Sequence, residues 1–244
     1  MFLSLLLIAQ DVPPAEPPRF AECMDLATGD PSAGQANAVK WRGEGGGALA
    51  RQCLGVSYAN QDRWDSAAEA FADAAHEAEL AKSGKVADYW VQSGNAWLAA
   101  GNPVRARAAF DAALATASLS GLALGEAHLD RARALVAAGD LEGARSDIDK
   151  ALADAASDPL AWLLSATLAR REGDLKRAGT DIAEALRRSG DDPMVQFEAG
   201  NIAAAAGDEA NARTHWSRVV ELAPGSPVAE SARKGLEQFG ASEK

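Results

Sequence analysis

Residues 90–113 read WVQSGNAWLAAGNPVRARAAFDAA. At helical period the first half places Trp90, Gly94 and Trp97 on one stripe, and the second half places Ala106, Phe110 and Ala113 on another. Between the halves stand Gly101, Asn102 and Pro103. Gly101 suits the left-handed conformation that ends a helix, and Pro103 fits the first turn of the next, where its missing N–H has no helical partner to lose. The stretch therefore predicts two amphipathic helices folded into a hairpin. Gly94 and Ala106 are small enough for close backbone approach, and the aromatic rings fill the space around them.

The same spacing recurs along the chain. Gly55, Tyr58, Ala67, Phe71 and Ala74 repeat the intervals of Gly94, Trp97, Ala106, Phe110 and Ala113. A third copy holds Ala132, Leu135, Ala144, Ile148 and Ala151, and a fourth holds Trp162, Ala166, Ala169, Ala178, Ile182 and Ala185. The fifth has Gly200, Ala203, Ala212 and Trp216, with Pro224 closing it. Gly139-Asp140, Gly173-Asp174 and Gly207-Asp208 mark turns 34 residues apart. Alanine dominates, β-branched residues are scarce and no strand-like alternation appears, so the expected class is all-α. One hairpin cannot bury its own apolar stripe, and each copy completes the core of its neighbour.

These residues resemble the tetratricopeptide repeat (TPR), a 34-residue helix-turn-helix written W-x2-L-G-x2-Y, then A-x3-F, then P. Leu54, Gly55 and Tyr58 carry the L-G-x2-Y portion, and Trp90, Gly94 and Trp97 carry the tryptophan, the glycine and an aromatic in the tyrosine's place. Later copies put alanine where glycine or tyrosine is usual, which implies slimmer contacts between helices. The resemblance implies a right-handed α-solenoid of five repeats at 48–81, 87–120, 125–158, 159–192 and 193–226. The longer intervals among the first three copies fall in extended second helices and in loops near 82–85 and 119–124. A helical hairpin at 20–47 would cover the open N-terminal end, with residues 43–47 as a flexible connector. A helix at 227–239 would cap the other end, followed by a disordered tail at 240–244.

In proteins of this kind the first helices of successive hairpins line a concave groove that holds an extended or helical segment of a partner. By register, one row on that groove is Val56, Asn95, Arg133, Thr167 and Asn201, and a second, one turn earlier, is Gln52, Val91, Leu129, Leu163 and Phe197. The first row is polar and the second largely apolar, suited to gripping backbone amides while seating hydrophobic side chains. Asp88, Glu126 and Asp130 add acid beside them, which favours a basic peptide or protein partner. Only Arg133 matches the basic groove positions of carboxylate-gripping relatives. The expected role is a non-catalytic interaction adaptor; the alternative is a self-assembling or spacer subunit of a cell-envelope complex.

The formal net charge of -11 and a pI near 4.8 argue against nucleic acid or an anionic membrane surface as partner. Residues 2–9, FLSLLLIA, are too short to span a bilayer. They read as the core of an export signal over 1–9, with a Pro-rich spacer at 10–19. The other reading is a merely apolar N-terminus on a cytoplasmic protein. In an exported, periplasmic protein Cys23 and Cys53, the only cysteines, suggest a disulfide; two buried free thiols are the alternative. Beyond the signal no membrane insertion is expected, and neither a cofactor nor a metal is expected.

Residues 76–80, HEAEL, begin like a zinc-peptidase helix, but Leu80 stands where the second histidine belongs. His128 and His215 lie in different repeats with no adjacent nucleophile, so surface or groove positions are expected. Arg170, Arg171, Lys176, Arg177, Arg187 and Arg188 alternate with acids in a pattern that suggests pairing within helices.

Overall fold

The computed structural model describes residues 17–241, which form thirteen α-helices and no strand. They are α1 (Pro18–Gly29), α2 (Pro31–Gly43), α3 (Gly47–Ala59), α4 (Trp64–Leu80), α5 (Val86–Ala99), α6 (Pro103–Ala115) and α7 (Gly121–Ala138). There follow α8 (Leu141–Asp154), α9 (Pro159–Glu172), α10 (Leu175–Ser189), α11 (Pro193–Ala205), α12 (Glu209–Leu222) and α13 (Pro227–Ala241). Each helix packs on the next, and first helices also meet first helices across repeats, α5 on α7 and α9 on α11. This is the connectivity of a solenoid of hairpins. The signal expected at 1–9 and most of the spacer at 10–19 lie outside the described residues.

Two dipeptides set the turns of the last three repeats. Within a hairpin, Gly139 and Gly173 take φ of 84° and end their helices. The next residue then caps the second helix: Asp140 accepts from the Gly143 N–H and Asp174 from the Arg177 N–H. Asp208 does the same for Asn211. Between hairpins the device is Asp-Pro, in which Asp158 accepts from the Leu160 N–H and Asp192 from that of Met194 while proline fills the first turn. The cap satisfies an orphan N–H that would otherwise depend on water, so the turns are encoded locally.

The register within hairpins rests on a size rule. A Cβ placed on Gly55, Gly94 or Gly200 would come within 2.5 Å of the ring of Phe71, Phe110 or Trp216 respectively. At the corresponding first-helix positions Ala132 and Ala166 pack in the same clusters as Ile148 and Ile182. A flat ring takes glycine opposite it, and a branched aliphatic chain takes alanine. The third and fourth repeats are built on the alanine pairing, and the fifth returns to glycine opposite a ring.

The N-terminal hairpin α1–α2 is held on α3 by a Cys23–Cys53 disulfide with both residues fully buried. Asn60 and Gln61 add bonds to the carbonyls of Ala27 and Pro31, at 2.9 and 3.2 Å. Residues 43–47, expected as a flexible connector, form a tight turn, because Gly45 and Gly47 take positive φ and Gly46 sits against Trp41. At the far end α13 covers Trp216 and Val219 with Ala229 and Ala232. It runs to Ala241, two residues into the stretch expected as tail; residues 242–244 are outside the described part.

Candidate functional site

Consecutive first helices are joined by polar contacts two positions before the small packing residue. Gln52 donates to Gln92 at 3.3 Å, Asn95 to Asp130 at 2.8 Å and Arg170 to Glu198 at 2.6 Å. Glu198 is nearly buried and also accepts from Asn201. Between the third and fourth repeats this position holds Leu164, and the polar series is interrupted there.

These contacts occupy much of the row expected to grip a ligand. Asn95 is committed to Asp130, Arg133 pairs with the other oxygen of Asp130 at 3.0 Å, and Thr167 donates to the Leu163 carbonyl of its own helix. Asn201 accepts from Trp216 at 3.2 Å. In the second row Val91 lines an open cleft, and Leu129, 2% exposed, forms its floor and packs with Ala151 and Ala161. Leu163 packs with the core around Ile182, Phe197 with that around Trp216, and Val56 against the clusters on either side of it. Gln52 is half-buried beside Gln92.

The cleft has a volume of about 450 Å3 and lies between α5, α7 and the start of α9. Four carboxylates line it: Asp88, Glu126, Asp130 and Asp158. Among the described residues no cation pairs with Asp88, Glu126 or Asp158, and Asp130 alone is partly neutralised, by Arg133. Asp88 and Glu126 share a register with Leu160 and Met194, six residues before the small packing residue of each repeat. Leu160 and Met194 are 42% and 53% exposed. This third row is legible in the period, although the sequence expectation holds only its acids; Asp158 joins them from outside the row, at the N-cap of α9. A smaller, apolar pocket of about 140 Å3 sits where the polar series is interrupted, between α7, α8 and α9. Arg133, Thr167 and Arg171 complete its lining.

The histidines expected at the surface or groove are partly buried inside hairpins. In the position just before Ile148, Ile182 and Trp216 stand Asp147, Asp181 and His215, each facing the first helix of its own repeat. Arg131 grips Asp147 with two bonds of 2.6 and 2.7 Å, and His128 lies 3.3 Å from it. Ser165 donates to Asp181 at 2.5 Å, and Gln196 meets His215 at 2.7 Å. Burial pushes the Asp147 carboxyl up, but the Arg131 bonds and charge outweigh it and hold it below the usual range. Burial lowers His128 and His215 against the neighbouring carboxylates Asp147 and Asp208. The bonds to Asp147, Asp181 and His215 satisfy groups enclosed between two helices, a structural task, while His128 Nδ1 is buried beside Asp147 without a hydrogen bond among the described residues. Among the described residues no three His, Cys, Asp or Glu side chains converge as a metal site would require.

The arginine-rich stretch is only partly paired within helices. Arg187 and Arg188 reach Glu184 in α10, and Arg177 reaches Asp181. Arg177 also bonds Asp149 of α8, and Arg170 crosses to α11, because the hairpin stacking brings acids of neighbouring repeats closer than helical neighbours. Arg171 has no partner among the described residues.

An array of helical hairpins stacked one on the next, with a cleft on its first helices, defines an α-solenoid. The tetratricopeptide repeat profile matches residues 54–120, 129–193 and 164–227, more than half of the chain, and the chain belongs to this family. Similar solved structures include PilW, a type IV pilus biogenesis factor, with TM-score 0.71 and 19% identity over 87% of this chain and 96% of that one. PilF of Pseudomonas aeruginosa matches with TM-score 0.65 and 15% identity over 89% and 97%. YrrB, a TPR protein with an unusual peptide-binding site, matches with TM-score 0.56 and 17% identity over 80% and 96%. No curated protein sequence matches significantly. At these identities the likeness is one of fold. Among the described residues no helix is long and apolar enough to cross a membrane.

Proposed function

We propose that this protein is a non-catalytic adaptor that binds a basic peptide or protein segment in the cleft between α5, α7 and α9. The observation that carries the reading is the cleft's four carboxylates with a single partial counter-charge. Carboxylates held together repel one another, and a Lys or Arg side chain relieves that repulsion while it steers encounter. Val91 and Leu129 give the walls an apolar floor, and Leu160 extends it at the rim. YrrB supports peptide binding as a use of the same fold.

The test is a fluorescence anisotropy titration with a blocked lysine-containing peptide at several salt concentrations. Asp88→Lys with Glu126→Lys should weaken binding by about tenfold or more and flatten its salt dependence. Glu142→Lys with Glu209→Lys, on second helices away from the cleft, should not. Equal affinity in all three proteins would sink the reading.

The disulfide supports a second element of the proposal, export to an oxidising compartment such as the periplasm. With the likeness to PilW it also supports the alternative role of a spacer or self-assembling subunit in an envelope complex. Light scattering separates the two, since a concentration-independent monomer removes self-assembly.

A further inference from the structure

The cleft and the small pocket are neighbours on the same two helices. On α7, Asp130 lines the cleft and Arg133 the pocket; on α9, Leu160 lines the cleft and Leu164 the pocket. Each step is about one helical turn, roughly 4.5 to 6 Å. The pocket's walls are Ala132, Val136, Ile148, Leu164 and Leu168, and its volume of about 140 Å3 is close to that of an apolar cavity that accepts a benzene molecule. It has a structural origin. Ile148 stands where the second repeat has Phe110, and Leu164 stands where neighbouring repeats have the polar links Asp130 and Glu198. At the pocket's rim, on the α9 side away from the cleft, the exposed Arg171 has no partner among the described residues.

Charge therefore changes sign across an apolar pocket: carboxylates on one side, a free guanidinium on the other. Resting on the basic-segment reading above, we propose that the bound segment carries three elements in order: a basic residue for the cleft, one aliphatic side chain that fills the Val136–Ile148–Leu164 pocket, and an acidic residue that meets Arg171. An extended chain advances about 3.3 Å per residue, so the aliphatic residue follows the basic one by about two positions. Arg171 lies seven residues beyond Leu164, about 10 Å along α9, which puts the acid about three positions further on.

The experiment uses the full chain and end-blocked peptides titrated by anisotropy, so that no terminal charge contributes. The parent peptide carries two lysines, a serine, a leucine, two serines and a glutamate within a glycine-serine frame; a second carries the same residues in reverse order. One of the two should bind about tenfold or more tighter than its own leucine-to-serine version. That gain should vanish in Val136→Phe, which plugs the pocket from α7, and in Thr167→Phe, which plugs it from α9; melting curves identify which of the two is folded. Arg171→Glu should prefer a peptide in which lysine replaces the glutamate. No leucine gain in the native protein, or an equal gain in a folded plugged variant, overturns the proposal. If the lysines contribute nothing while the leucine gain persists, the cleft reading fails and the pocket assignment stands.

Discussion

The amide of Asn95 on α5 donates to Asp130 on α7 at 2.8 Å, and the other oxygen of the same carboxylate is held by Arg133. Asn95 lines the cleft, yet the one side-chain hydrogen bond it makes among the described residues joins two repeats. Asn95→Ala should therefore lower stability by about 0.5 to 1.5 kcal/mol in urea denaturation, the usual worth of such a bond. Affinity for a basic peptide should change by no more than about twofold, as for most residues that border an interface without anchoring it. A loss above tenfold at unchanged stability would instead make Asn95 a ligand contact.

Cys23 and Cys53 close a loop with a sequence separation of 30. Removing the bond frees the unfolded chain and should destabilise the protein by about 3 to 4 kcal/mol on the chain-entropy account. The effect is local, since the bond joins α1 to α3 and touches no other repeat. Cys23→Ala with Cys53→Ala should speed amide exchange in α1 and α2 first, with the α9–α12 hairpins little changed. Thiol labelling of the denatured, unreduced protein should find no free cysteine; two labelled cysteines would contradict the bond.

The hairpins were legible because they are written locally: Gly101-Asn102-Pro103 in the second, Gly-Asp turns in the last three, and packing residues at helical spacing. The cleft was half legible. Asp88 and Glu126 fall on a register that repeats, but Asp158 arrives from the loop before α9, a position with no periodic signal for groove contact. The partners of the polar row were not legible for a related reason. Sequence places Asn95 and Asn201 on the inner face, but whether their amides meet solvent or the next repeat depends on what stands opposite. The small pocket is the extreme case, because it exists only where Ile148 and Leu164 coincide across two repeats.

His128 and His215 make stability fall on mild acidification. Burial holds both imidazoles below their ordinary value of 6.5 in the folded protein, so the unfolded chain takes up the protons first. Stability present in full above about pH 6.5 is therefore lost as pH falls through that value towards the depressed folded ones. Asp147 acts lower: its folded carboxyl is below 3.8, and its contribution is lost as pH falls from there through the folded value. Melting temperatures measured from pH 8 to 5 should decline in the native protein and flatten in His128→Gln with His215→Gln. An identical slope in the double variant would place the acid sensitivity elsewhere.

The glycine at the centre of the opening hairpin gives the sharpest test of how the repeats are built. A Cβ on Gly94 would stand 2.5 Å from Phe110, well inside contact distance, and Phe110 is fully buried with no room to retreat. Gly94→Ala gains about 1 kcal/mol of helix propensity but forces an overpacked core costing about 1 to 3 kcal/mol, so a net loss is expected. Phe110→Ile alone leaves a void and also destabilises. Together the two substitutions recreate the Ala132–Ile148 and Ala166–Ile182 pairings that this chain already uses. The double variant should thus be less damaged than the sum of the single changes by at least about 1 kcal/mol, a coupling measurable in a double-mutant cycle by urea denaturation. Simple additivity would mean that ring and glycine do not set the repeat spacing together, and that the size rule is a coincidence of composition.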